Sequence, residues 1–323
     1  MSFTAEIKDE LSRIEGSRPC EKSQLAALSR VCGTLSLSGQ RQFALSLSTE
    51  TGAVARSIIR QFRGVYGLAC SLTVRKSVLH KTRNYLISLS TADQPALGDA
   101  LVDMGILSRL GSLEREIVPS LVRTDEEAAA YLRGAFMGGG FVAEPHTECH
   151  FELVAQTAPF AEGLCALLAR FGVNARVNRR RGSFVIYLKN ADEVVAFLTL
   201  VGAPASVRAV EQARAVKSVR NVTNRIVNAE LANQRKVTVA AAGQTELVDA
   251  VDAEIGIGRL PPALRDFCEL RREHPELSLR ELGEEADPPL SKSAVAHRVR
   301  RLEGLLAEAR EKDGRQGVES RRP

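Results

Sequence analysis

Apolar positions recur along this chain with two different periods. Over residues 21–36 they fall at helical spacing, with Leu25, Leu28, Cys32 and Leu35 on one face. The run ends at Gly39, so the pattern predicts a helix that stops there. Residues 43–48 then alternate apolar with hydroxyl side chains, which at period two is a strand with one greasy and one wet face. A helix over 53–62, alternating strands over 68–75 and 85–90 around a basic turn, and a helix over 96–104 complete the series. The order is helix, strand, helix, hairpin, helix.

The same series returns about a hundred residues later. A helix over 126–137 ends in Gly138-Gly139-Gly140, a strand over 151–156 replaces the one at Phe43, and a helix over 160–171 replaces the one at Ala53. Gly172-Val173 echoes Gly64-Val65, and segments 174–180 and 184–188 rebuild the hairpin. Duplication on this scale implies two similar halves about a pseudo-twofold axis, because neither half alone covers both faces of its sheet. We therefore expect one α+β domain over residues 1–205.

From residue 206 the chain turns helical and basic. Arg208, Arg214, Lys217, Arg220, Arg225, Arg235 and Lys236 stand against Glu211 and Glu230, which predicts a basic helical connector over 206–259. Leu260-Pro261-Pro262 closes it, since proline lacks a backbone donor and restrains its predecessor. An all-α domain over 260–310 is expected next. Residues 263–272 read as a helix, and 279–286 as a shorter one opened by a Ser278/Glu281 capping box. Asp287-Pro288-Pro289-Leu290 breaks it, and Ser291 or Ser293 caps a longer helix with Val295, Val299 and Leu302 as its buried stripe. Two helices across a short turn, the second basic, form a helix-turn-helix motif over about 277–309. The charged tail over 311–323 predicts disorder.

Charge sharpens the reading of that motif. Of 323 residues 44% are hydrophobic and 26% charged, and the net charge of +5 is too small by itself to name a partner. Its placement is more informative: Glu269 to Asp287 holds seven acids, whereas Ser291 to Leu302 holds four basic residues and no acid. Opposite the Val295 stripe, Ser293, His297 and Arg300 lie at i, i+4 and i+7, placed to enter a major groove, while Lys292, Arg298 and Arg301 reach phosphates. Ser291 completes the predicted DNA-binding set, and double-stranded DNA is the expected partner. A solvated amphipathic helix explains a basic run equally well; the capped first helix and proline turn favour DNA.

Other chemistry is set aside. The six cysteines form no Cys-x-x-Cys pair, no apolar leader opens the chain, and no run of about eighteen apolar residues exists to span a membrane, so a reducing cytoplasm with free thiols is expected. His146, Cys149 and His150, with Glu148, read as a surface loop because no second ligand pair follows. Gly138-Gly139-Gly140 lacks the Lys-Ser/Thr of a phosphate-binding loop, and close helix packing explains it better. Neither metal nor cofactor is expected.

Two segments carry a resemblance. Val31 to Gly39 and Leu132 to Gly140 look like degenerate copies of the nine-residue motif of LAGLIDADG homing endonucleases. That resemblance implies a duplicated αββαββα domain whose motif helices form the central axis, with the penultimate acid of each motif holding a divalent metal. Those positions are Ser38 and Gly139 here, so no cleavage is expected; Glu144 and Glu148 are the nearest substitute acids. A polar strand face carrying Ser46, Ser48, Ser71, Thr73, Arg75, Glu152, Gln156, Arg176, Asn178, Tyr187 and Lys189 is expected to lie along DNA, to dock a protein, or to be the ordinary wet side of the sheet.

With Tyr131 to Phe136, Asn224 to Asn228, Leu279 to Gly283 and Leu290 to Leu302 in order, nearly the whole chain closely resembles the WhiA family of Gram-positive regulators. The resemblance implies a cytoplasmic, nucleoid-associated, non-enzymatic transcription factor concerned with sporulation, cell division and chromosome segregation. The alternative is a scaffold that docks another transcription or division protein.

Overall fold

A computed structural model describes residues 2–37, 42–76, 83–147, 150–180 and 182–319, with side chains through 312. It divides into two compact units, 1–218 and 219–323.

The first unit begins with α1 (Phe3–Ser12), where Ser2 Oγ accepts the Ala5 N–H and Phe3, Ile7 and Leu11 turn inward. Its first half continues through α2 (Arg18–Cys32), β1 (Gly33–Leu37), β2 (Phe43–Thr49), α3 (Gly52–Tyr66), β3 (Ser71–Lys76), β4 (Arg83–Ser90) and α4 (Leu97–Asp103). The second half repeats the order with α5 (Asp125–Gly139), β5 (Gly140–Val142), β6 (Phe151–Ala155), α6 (Ala158–Arg170), β7 (Arg176–Arg180), β8 (Ser183–Leu188) and α7 (Ala191–Val201). Each half forms a four-stranded sheet of the same order, β1-β2-β4-β3 and β5-β6-β8-β7, with antiparallel neighbours. This is the duplicated αββαββα plan.

Two strands differ from the periodicity reading. The helix expected over 21–36 ends at Cys32, and Gly33–Leu37 is β1, paired antiparallel with β2 from Gly33 opposite Leu47 to Leu37 opposite Phe43. In the second half Gly140–Val142 is likewise a strand, paired with β6. Leu35 sits at a helical spacing from Leu28, but it also continues the alternation of a strand, and pairing with β2 decides between the two periods. The second motif helix starts cleanly: Thr124 and Glu127 form a reciprocal capping box.

The two motif helices pack along one another at backbone distance. A methyl at Gly134 would sit 2.1 Å from the Gln24 carbonyl oxygen, and one at Gly139 would sit 2.5 Å from Val31 Cγ1. Glycine here serves close approach, as expected for the triple glycine. Around this axis Leu25, Leu28, Leu132 and Phe136 join Leu45, Leu47, Ile87, Phe151, Leu153 and Phe197 in one core.

Helix α8 (Pro204–Glu254) carries the boundary between the two compact units, which falls after Ser218. Val210 packs in the first unit's core, whereas Val248 and Val251 belong to the second unit's. The segment expected as a connector over 206–259 therefore contributes to both cores, and its basic residues from Arg214 to Lys236 are exposed.

The second unit adds α9 (Pro262–Glu273), α10 (Leu279–Glu284) and α11 (Lys292–Glu319). Leu264, Phe267, Cys268, Leu282, Val295, Leu302 and Leu306 close over Val248 and Val251. Helix α11 continues through Glu319, whereas disorder was expected from 311; Glu311 and Lys312 are good helix formers that extend an existing helix at little cost. Residues 320–323 of that segment lie outside the described residues.

Candidate nucleic-acid interface

The basic helix is positioned by three local devices. Ser278 Oγ accepts the Glu281 N–H while Glu281 accepts the Ser278 N–H, so α10 begins in the predicted capping box. The turn after α10 folds back on it, with Leu290 N–H donating to the Gly283 carbonyl at 2.8 Å. A methyl at Gly283 would lie 2.4 Å from the Leu290 oxygen, so the approach requires glycine. Of the two serines offered as caps for α11, Ser291 is the one: its Oγ accepts the Ala294 N–H at 3.2 Å and also meets Ser293 Oγ at 2.9 Å.

Val295 and Leu302 are buried as predicted and Val299 is half-buried. At 100° per residue the opposite face carries Ser293, His297 and Arg300, all exposed. Lys292 and Arg301 are exposed on its flanks, whereas Arg298 is half-buried nearer the core. Arg300 Nε leans on the Ala296 carbonyl at 3.4 Å, leaving its terminal nitrogens free of protein partners among the described residues. The preceding α10 is acidic, with Arg280 answered by Glu284 at 3.0 Å. A polyanion would therefore be attracted to the first three turns of α11 and repelled by α10, which orients the motif.

One arginine of this unit escaped the sequence reading. Arg271 is fully buried and makes no ion pair with a carboxylate among the described residues. Its guanidinium donates to the His274 carbonyl at 3.0 Å, the Leu277 carbonyl at 2.7 Å and Gln244 Oε1 at 2.7 Å. It thereby ties the turn before α10 to α8 and gives two part-buried carbonyls a charged donor. The signal was present in the sequence, since Leu264, Phe267, Cys268 and Arg271 share one helical stripe.

In the first unit the strand registers gather the expected polar residues. Ser46 lies opposite Ser88 and Ser88 opposite Ser71, Arg75 lies opposite Asn84, and Tyr187 lies opposite both Glu152 and Arg176. The polar face is rich in hydroxyls in the first sheet and carries Glu152, Arg176, Asn178 and Tyr187 in the second, while the opposite faces give Leu45, Leu47, Ile87, Leu153 and Ile186 to the core. Glu152 there is engaged by His150 at 2.9 Å.

The helix–strand junctions correct the register of the first motif. Helix α5 ends at Gly139 with Gly140 opening β5, and α2 ends at Cys32 with Gly33 opening β1. Both capping glycines are extended, at φ −92°, ψ 147° and φ −82°, ψ 152°. The residue matching Gly139 is therefore Cys32, and the first motif is Leu25 to Gly33. Ser38 lies outside the described residues and follows the five residues of β1, well past the helix end.

Neither helix end fits a hard divalent cation, which requires anionic oxygen. Gly139 has no side chain, and burial pushes the Cys32 thiol up to about 11, so it stays protonated and donates to the Leu28 carbonyl. Glu144 accepts the Phe3 N–H at 2.9 Å and is tied to the start of α1, and Glu148 is outside the described residues. No group of three or more His, Cys, Asp or Glu side chains with metal-binding geometry occurs among the described residues, and Cys149 of the His146–His150 loop lies outside them. No described helix is long and apolar enough to cross a membrane. Cys20, Cys32, Cys70, Cys165 and Cys268 are free thiols.

Comparison with known proteins follows the same divisions. Residues 18–103 match the family model described as the WhiA N-terminal LAGLIDADG-like domain, 128–220 the WhiA LAGLIDADG-like domain, and 223–306 the WhiA C-terminal HTH domain. The "Probable cell division protein WhiA" of Heliobacterium modesticaldum is 42% identical over 318 residues, 97% of this chain and 98% of that one. Its counterpart in Alkaliphilus metalliredigens is 37% identical over 316 residues, 97% of this chain and 99% of that one. Among solved structures, full-length DUF199/WhiA from Thermotoga maritima has the same fold, with a TM-score of 0.58 at 22% identity over 95% of this chain and 99% of that chain.

Proposed function

The chain belongs to the WhiA family, and on that footing we propose that it is a double-stranded-DNA-binding transcriptional regulator that acts in cell division and has no nuclease activity. The relatives' names supply the cell-division context. Sporulation and chromosome segregation are the wider programme that the resemblance implies. The observation that carries the reading is the acid-free face of α11, with Ser293, His297 and Arg300 exposed in one row on the second helix of a capped helix-turn-helix.

The recognition step follows from that face. The N-terminal turns of α11 enter the major groove with Ser291 capping the helix, so that the helix dipole and Lys292 draw phosphate toward its start. Arg300 presents free terminal nitrogens to a guanine edge, His297 and Ser293 lie beside it, and Arg301 reaches the backbone, with Arg298 available from the flank. The first unit's polar sheet faces add a second surface for DNA. Inactivity as a nuclease rests on Cys32 and Gly139, which supply no oxygen anion where a metal would sit.

Arg300→Ala in the full chain is expected to weaken the specific site by about 1–3 kcal/mol. Lys292→Ala is expected to weaken all duplexes alike and to flatten the salt dependence. Fluorescence anisotropy at several salt concentrations separates the two, and equal binding by wild type and both variants would remove α11 from the mechanism.

A further inference from the structure

Beside the end of α5, above Gly138, the first unit holds an open cavity of about 520 Å³ framed by the start of α1, the β2–α3 junction and the start of β4. The DNA-reading helix does not use it. Its described lining holds two cationic side chains, Lys8 and Arg83, and several groups able to donate hydrogen bonds. Lys8 stands in its wall, drawn in far enough that burial lowers its amine pKa, with Cys32 and Glu50 as electrostatic neighbours. It makes no direct hydrogen bond or ion pair among the described residues. Arg83 adds a guanidinium at the rim.

Three of the neutral groups keep a donor for the cavity, whereas the Thr4 hydroxyl is spent on the Val142 carbonyl at 2.7 Å. Ser2 Oγ accepts the Ala5 N–H at 3.3 Å and Thr49 Oγ1 accepts the Thr51 N–H at 3.2 Å, so each hydroxyl hydrogen is left to donate elsewhere. Ser48 donates to Asn84 Oδ1 at 2.8 Å, which leaves the Asn84 amide nitrogen as a donor. Glu50 is the one carboxylate in the described lining. A half-buried ammonium with no direct partner among the described residues, beside Arg83 and the donors of Ser2, Thr49 and Asn84, is complementary to an anion that has several acceptor oxygens.

We propose that this cavity binds the phosphate of a small molecule, either inorganic phosphate or the terminal phosphate of a nucleotide. Lys8 and Arg83 neutralise the charge, while Asn84, Ser2 and Thr49 donate to the remaining oxygens. The volume falls within the roughly 300–1,000 Å³ of small-ligand sites and leaves room for more than the bare ion. Glu50 opposes the bound charge and limits affinity.

The test is calorimetric titration of the full chain with inorganic phosphate, then with adenosine monophosphate, at ionic strength matched with chloride. Saturable binding is expected, weakened roughly tenfold or more in Lys8→Met and tightened in Glu50→Gln. The opposite signs keep the result readable if Lys8→Met folds poorly, since Glu50→Gln removes charge without removing packing. Absence of saturable binding by the wild type, or equal binding by both variants, overturns the proposal. A short duplex of random sequence is the third arm: if Lys8→Met loses duplex affinity while neither phosphate nor nucleotide binds, the cavity holds a DNA backbone phosphate and the small-molecule site is disproved.

Discussion

Cys268 has no exposure and packs in the second unit's core, and burial pushes its thiol up to about 11 from the usual 9.0. The folded chain then keeps a proton that the unfolded chain releases, so this group's contribution is fully present below pH 9 and is lost as pH rises through 11. Urea unfolding is expected to show a steeper fall in stability between pH 9 and 11 for wild type than for Cys268→Ala; parallel slopes would contradict the assignment. The exposed face of α11 was legible at this scale, because burial of Val295 and Leu302 fixes by helical geometry which side chains point away. Arg271 was legible only in part: its place on the stripe of Leu264, Phe267 and Cys268 points inward, but charge predicts exposure, and the carbonyls gathered around it explain its burial.

At the scale of elements, periodicity located the long helices and hairpins, and it failed where a helix passes directly into a strand. Between Val31 and Leu37 both periods fit, and pairing with β2, a long-range fact, decided for the strand. That one error moved the first motif by six residues, from Ser38 to Cys32, and neither residue is an acid. The axis gives a sharp test. An alanine in an exposed helix is favoured over glycine by roughly 1 kcal/mol. At Gly134 the added methyl would meet the Gln24 carbonyl oxygen at 2.1 Å, so the sign reverses. Gly134→Ala is expected to lower stability by about 1–3 kcal/mol or more by chemical denaturation, and an unchanged or higher stability would show that α2 and α5 do not approach as described.

For the whole molecule, the duplication was readable because two copies repeat strand order, helix ends and a Gly-Val pair. The unit boundary was not readable, because α8 crosses it without any break in composition: Val210 serves one core and Val248 the other. The two units also divide the chemistry. The nuclease-like unit has the scaffold without oxygen ligands at its motif ends, so incubation with supercoiled plasmid and Mg²⁺ or Mn²⁺ is expected to leave the plasmid intact; protein-dependent, chelator-sensitive nicking would contradict this.

The most direct test of the central claim is enrichment of sheared genomic DNA by the full chain and by Arg300→Ala at physiological salt. Selective recognition through α11 predicts a small set of discrete sites for wild type that are lost or weakened in the variant, with nonspecific recovery unchanged. The same sites recovered equally by both chains, or no discrete sites with wild type, would contradict it.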